Sequence, residues 1–309
     1  MTTREQHAPG TAGGMWSAVP GFVRTRESFL RTLADHWPEY VIEAVGLAWV
    51  MLAAGVIASL LWYGRSPLHS VIATDPLRRA VMGIGMASAV AAFVYSPFGK
   101  RSGAHINPAI TLAFLYLRKI SAEDAFFYVA AQFIGGALGV ALFAALAGPW
   151  ASDPAVNYIV TAPGEAGIVA AFVAELVTTF AMMLLVLVAT NDRRLHRFTG
   201  ILVSVLLAAL IAFESPVSGT SLNPARSFGS ALVARHFTAI WIYFTAPPLG
   251  AWLAALPTRR AQAFRSSAQS SITRRRRPRC ATASSAARTA RSSRSPRRGA
   301  RGAKHDDAL

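Results

Sequence analysis

Six stretches of this chain are too apolar to face water: residues 40–63, 77–95, 125–147, 168–189, 198–213 and 240–256. A helix needs about 20 mainly apolar residues to cross the hydrocarbon core of a bilayer, and these stretches approach or exceed that length. Inside hydrocarbon no water satisfies backbone N–H and C=O groups, so each spanning piece must close its own hydrogen bonds as a helix. Composition agrees. The chain is 53% hydrophobic and 15% charged, whereas an ordinary soluble domain carries about 25% charged residues. The expected fold class is an all-α membrane protein with six transmembrane helices.

A formal net charge of +16 over 309 residues conflicts with that reading only until it is located. Residues 257–309 hold 15 of the 31 basic residues and just two acids, Asp306 and Asp307, so this tail carries +13 and the remainder +3. The tail is rich in Ser, Ala and Arg, with an arginine run at 274–277. That makes it low-complexity and expected to be disordered. It suits an anionic lipid leaflet, at about 1 kcal/mol per basic residue near the surface. No aromatic interleaves its charges after Phe264, so nucleic acid is not an expected partner. The organisation expected is therefore an N-terminal segment 1–38, a membrane domain 39–256 and the tail. The single cysteine, Cys280, excludes an intrachain disulfide and a Cys-based zinc site. No apolar stretch with a cleavage site precedes residue 39, so the first span is read as its own insertion signal.

Two further segments, 102–116 and 218–234, are too short to span and too apolar for solvent loops. Such pieces are tolerated only as re-entrant segments packed in protein or lining a cavity. They also repeat each other: Ser102-Gly-Ala-His-Ile-Asn-Pro-Ala109 aligns with Ser218-Gly-Thr-Ser-Leu-Asn-Pro-Ala225. The repeat extends upstream to Glu43 in the first span and Glu175 in the fourth. Each half (about 39–147 and 168–256) is then three spans with one re-entrant loop. An odd number of spans inverts the second half relative to the first, and the site of an inverted repeat is expected near the bilayer midplane.

The duplicated tripeptide has a physical meaning. Asn is a leading N-cap and Pro is favoured at the first helical position, so half-helices are predicted to start at Pro108 and Pro224. Their N-termini, each worth roughly +0.5 charge, would face each other. The amides of Asn107 and Asn223 could donate to a passing oxygen. Such a place accepts a neutral hydrogen-bonding solute and repels cations.

Orientation follows from the basic residues. Arg4, Arg24, Arg26, Arg31, Lys100, Arg101, Arg118, Lys119, Arg193, Arg194 and Arg197 fall on the side of the termini, against Arg65, Arg78, Arg79, Arg226 and Arg235 opposite. The positive-inside rule puts both termini in the cytoplasm, even without the tail.

The paired Asn-Pro-Ala motifs, the paired glutamates, Gly135-Gly136 and Pro248-Leu-Gly-Ala251 together resemble the aquaporins and aquaglyceroporins, the major intrinsic proteins. The resemblance covers about 43–256. It implies a homotetramer in the plasma membrane with one pore per subunit, no cofactor and no bound metal. It makes Asn107, Pro108, Ala109, Asn223, Pro224 and Ala225 the pore motifs. It makes Glu43 and Glu175 buttresses that accept N–H groups of the re-entrant backbone. Arg226, Thr220 and Ile211 match three positions of the selectivity filter. The fourth falls at Ala87, or at Ile84 if residues 96–101 form a loop two residues longer than usual; Ile84 is preferred because Gly85 then fits the family pattern. With no filter aromatic or His, a wider and more apolar constriction is expected. Ser227, Ala231 and the pair Tyr243-Phe244 are water-channel choices instead. Trp241 and Tyr243 equally suit interface anchors. His105 reads as a loop hydrogen-bonding residue.

The functional expectation is a passive channel for water that also admits small neutral solutes such as glycerol and excludes protons and ions. A secondary transporter, or a small-solute facilitator in which water is incidental, is the alternative; a structural junction protein is a third class. No nucleophile–base pair or phosphate loop points to an enzyme. If the tail plays no part in conduction, truncation at Thr258 leaves water flux of reconstituted vesicles unchanged. Lost flux in a truncated chain that still inserts would contradict this.

Overall fold

The computed structural model describes the backbone of residues 20–276 and the side chains of residues 29–260. Among these residues every regular element is helical. In chain order they are α1 (Pro20–Trp62), α2 (Pro67–Val71), α3 (Asp75–Tyr95), α4 (Pro97–Ser102), α5 (Pro108–Tyr116) and α6 (Ala122–Ala147). The second half follows with α7 (Pro149–Ser152), α8 (Gly167–Asn191), α9 (Thr199–Phe213), α10 (Ser215–Ser218), α11 (Pro224–Ala234) and α12 (Trp241–Arg276).

Five of these, α1, α3, α6, α8 and α9 with the turn before it, are long and apolar enough to cross a membrane. The sixth apolar stretch forms the first part of α12, where Trp241, Tyr243, Thr245, Pro247 and Pro248 dilute the apolar content. The two predicted half-helices are present, as α5 and α11, and both start at the proline of their motif.

Helix α1 extends upstream of the first apolar stretch to Pro20, with Pro38 inside it; the ring removes one backbone bond without ending the helix. Helix α12 continues to Arg276, so residues 257–276 are helical rather than disordered. Ala, Arg and Gln there are good helix formers. The compact unit itself ends at Arg260. The rest of the predicted disordered tail, 277–309, lies outside the described residues.

Small residues let the long helices meet at backbone distance. A Cβ on Gly135 of α6 would stand 2.1 Å from the Ala44 carbonyl oxygen of α1, and one on Gly229 of α11 would stand 2.5 Å from the Gly136 carbonyl carbon. Likewise, a Cβ on Gly250 of α12 would meet the Leu176 oxygen of α8 at 2.3 Å. These crossings seat α11 and the second loop against α6, and so position the site. Overpacking such a contact costs about 1–3 kcal/mol or more. Gly229→Val should therefore lower the apparent melting temperature of the purified protein markedly, while Gly64→Ala, with nothing within 4 Å, should not. Equal melting of the two variants would refute the packing role.

Candidate functional site

The two re-entrant loops adopt the same backbone path. Helices α4 and α10 each end on a left-handed glycine, Gly103 (φ 85°) and Gly219 (φ 82°). Beyond them Ala104 and Ile106 in one loop, and Thr220 and Leu222 in the other, also have positive φ, from 39° to 55°. For residues with a Cβ this costs about 1–2 kcal/mol each, so something must hold them there.

Glu43 and Glu175 do so. Both are fully buried. Glu43 accepts the N–H groups of His105 (3.0 Å) and Ile106 (2.5 Å), the Ser102 hydroxyl (2.8 Å) and Gln132 Nε2 (2.8 Å). Glu175 accepts the N–H groups of Ser221 and Leu222, both at 2.7 Å, and the Ser218 hydroxyl at 2.7 Å. A second matched pair reinforces them: Tyr128 donates to the Ser102 carbonyl and Tyr243 to the Ser218 carbonyl, each at 2.7 Å. Tyr243 is thus a buried loop brace, whereas Trp241 is half exposed.

The loops are tied to each other through their asparagines. Asn107 caps α5 by accepting from Ala109 N, and Asn223 caps α11 by accepting from Ala225 N and Arg226 N. Asn107 Nδ2 donates to the Leu222 carbonyl and Asn223 Nδ2 to the Ile106 carbonyl, both at 2.8 Å. Each amide therefore keeps one N–H beyond these contacts.

The halves are not identical. Glu214, at the end of α9, accepts the Thr220 hydroxyl at 2.5 Å and lies in hydrogen-bond contact with the Ser218 hydroxyl. The corresponding residue before the first loop is Phe98, exposed and apolar. Because Thr220 gives its only hydroxyl hydrogen to Glu214, it offers an acceptor to its surroundings.

A cavity of about 940 Å³ runs past both asparagines. Trp62, Asp75 and Arg79 line one end and Tyr95, His196 and Arg197 the other. From Arg79 to Tyr95 along α3 is roughly 24 Å at 1.5 Å per residue, most of a bilayer's thickness. Three expected filter residues, Arg226, Thr220 and Ile211, line it together near the Arg79 end. Nη1 of Arg226 is buried without a partner. His105 also lines the cavity, with its ring stacked 4.8 Å from Phe114 and Nδ1 3.2 Å from Thr111 Oγ1.

Ile84 does not belong to this group. It is 65% exposed, and the α3 residues that line the cavity are Arg79, Met82, Met86, Val90 and Val94. Residues at i, i+4 and i+8 share a helical face, so Ile84, two positions from both Met82 and Met86, points the other way. Ala87 lies off the stripe too. Counting back from Asn107 across the short helix α4 displaced the register. Ser227, Ala231 and Phe244 stand outside the lining as well. Ser227 is buried behind the loop against Ser221 and Thr161, and Phe244 stacks on Phe133.

Met82, Arg79, Gln132 and Glu214 are the residues that sequence reasoning missed. The spacing of Met82, Met86 and Val90 carried a signal for the first, while Glu214 becomes visible only when Thr220 folds back onto it.

The profile of the Major intrinsic protein family matches residues 31–257, and the chain belongs to that family. It is 36% identical over 191 residues to the glycerol uptake facilitator protein-like 6 of Lactiplantibacillus plantarum, covering 61% of this chain and 87% of that protein. It is 33% identical over 223 residues to aquaporin NIP2-1 of Zea mays, covering 71% of each. The X-ray structure of the aquaglyceroporin from Plasmodium falciparum superposes with a TM-score of 0.62 at 21% identity, over 72% of this chain and 96% of that one.

Removing one buttress orphans several donors at once, at about 1–3 kcal/mol each. Glu175→Ala should lower yield and thermal stability strongly, with Glu175→Gln less harmful because one acceptor oxygen survives. A stable, correctly inserted Ala variant with altered solute selectivity would instead give Glu175 a direct role in the pore.

Proposed function

We propose that the chain is a passive channel for water and small neutral solutes such as glycerol, excluding protons and ions. The observation that carries this reading is an elongated cavity with Asn107 and Asn223 on its wall and the N-termini of α5 and α11 beside them. There the free amide N–H groups and two helix-dipole ends present positive potential to whatever passes. A water or hydroxyl oxygen is bound as an acceptor, while a cation or hydronium meets repulsion and loses hydration without compensation. Toward the Arg79 end, Arg226 donates and Thr220 accepts, with Ile211 and Met82 supplying apolar wall. A lining with polar groups on one side and hydrocarbon on the other suits both water and a short polyol.

A coupled transporter needs an acid free to load an ion. Among the described residues, Glu43 and Glu175 are engaged by loop donors and stand off the lining, and Asp75 on the lining pairs with Arg78 at 2.9 Å. This favours the channel. We further infer that the protein lies in the plasma membrane with both termini cytoplasmic, so the Arg226 end opens outward, and that it forms a homotetramer whose lipid-facing and partner-facing surfaces use apolar residues such as Val45, Leu138 and Val173.

Stopped-flow measurements on vesicles holding the full chain test the reading. Osmotic shrinkage in sucrose should be several-fold faster than in empty vesicles, with measurable glycerol entry; a rate equal to empty vesicles would falsify it. Arg226→Val should keep water flux and add leakage of larger or cationic solutes. Unchanged selectivity would remove Arg226 from the filter.

A further inference from the structure

The Arg226 end of the cavity holds a second arginine. Helices α3 and α9 run antiparallel: the Tyr95 hydroxyl donates to the Arg197 carbonyl at 2.9 Å and accepts from Ile201 N at 3.2 Å. Further along, a Cβ on Gly83 would meet the Ala208 oxygen at 2.5 Å. Continuing this register sets Ile211 opposite the stretch 79–82 of α3. Arg79 and Met82, one turn or about 4.5 Å apart, therefore bracket the level of the Ile211 constriction. Arg79 and Arg226 line the same cavity.

Each guanidinium keeps a donor without an acceptor there. Arg79 Nε and Arg226 Nη1 are buried and meet no acceptor. Among the described residues neither arginine forms an ion pair. The nearby acids are engaged by other groups, Asp75 while itself on the lining. Asp75 binds Arg78, Glu214 binds Thr220 and Ser218, and Glu175 sits behind the loop on Ser221 and Leu222. Two planar cationic forks with unmet donors in a partly dehydrated constriction match the oxygens of a small oxyanion. The same anion would have to shed its hydration to go on past Met82, Met86 and Ile211. It would bind and block rather than pass.

We propose that Arg79 and Arg226 form a small-oxyanion site at this end of the pore, and that its occupation closes the pore to water. This rests on the channel reading above, and the test separates the two. Vesicles holding the full chain are shrunk osmotically in sodium phosphate or in sodium chloride of matched osmolality and ionic strength. Inorganic phosphate should reduce water permeability saturably. Arg79→Met should weaken that inhibition roughly tenfold, relative to the variant's own flux in chloride, as expected for losing a charge-assisted contact. Arg79→Lys keeps the charge without the fork and should fall between, which preserves the test if the Met variant does not insert. Water flux that ignores phosphate, or that phosphate inhibits equally in wild type and in the Arg79 variant that inserts, overturns the site. A chain that conducts no water in either salt overturns the channel reading instead.

Discussion

Everything in the site depends on two carboxylates holding strained backbone in a place without water. A re-entrant loop brings N–H groups to the middle of a membrane protein, where an unmet donor is costly. Glu43 and Glu175 each collect two consecutive loop N–H groups and a serine hydroxyl. Those bonds keep Ile106 and Leu222 at positive φ, and the carbonyls of these two residues are the ones that accept Asn223 and Asn107. Without the glutamates the asparagine cross-ties would lose their anchors, and the facing helix N-termini their alignment.

The inverted repeat applies this device twice, with departures from symmetry around it. The first half completes Glu43 with Gln132. The second has Glu214 in contact with both Thr220 and Ser218. Near the Arg79 end the lining therefore combines cationic donors, one oriented acceptor and the apolar walls of Met82 and Ile211. Toward the other end Val90, Val94, Val186 and Val203 alternate with polar and basic groups such as Tyr95, Lys100, His196 and Arg197.

Legibility in the sequence followed the range of the interactions. The half-helices starting at Pro108 and Pro224, the capping by Asn107 and Asn223 and the pairing of Glu43 with Glu175 could be read because each is a local rule repeated at matched spacing. Met82 was missed and Ile84 chosen because the short helix α4 broke the count between α3 and the first motif. Helix α1 runs upstream of residue 39 through polar residues, which helix formation outside the hydrocarbon does not forbid. Ser227 and Phe244 were informative as family markers, yet they pack behind the loop and beside Phe133 rather than on the lining.

Hydrophobic length, duplicated caps and paired acids are properties of short stretches, and the sequence alone determined from them a helical membrane protein with two opposed half-helices. Which side of each helix faces the cavity was decided only by tertiary packing. Close backbone contacts at Gly83, Gly135 and Gly229 fix the rotation of α3, α6 and α11, and a shift of two residues along a helix turns a side chain from the pore to its far side. Those contacts bring Arg79 to the level of Ile211, on the same cavity as Arg226, and no spacing rule along the chain relates residues so far apart.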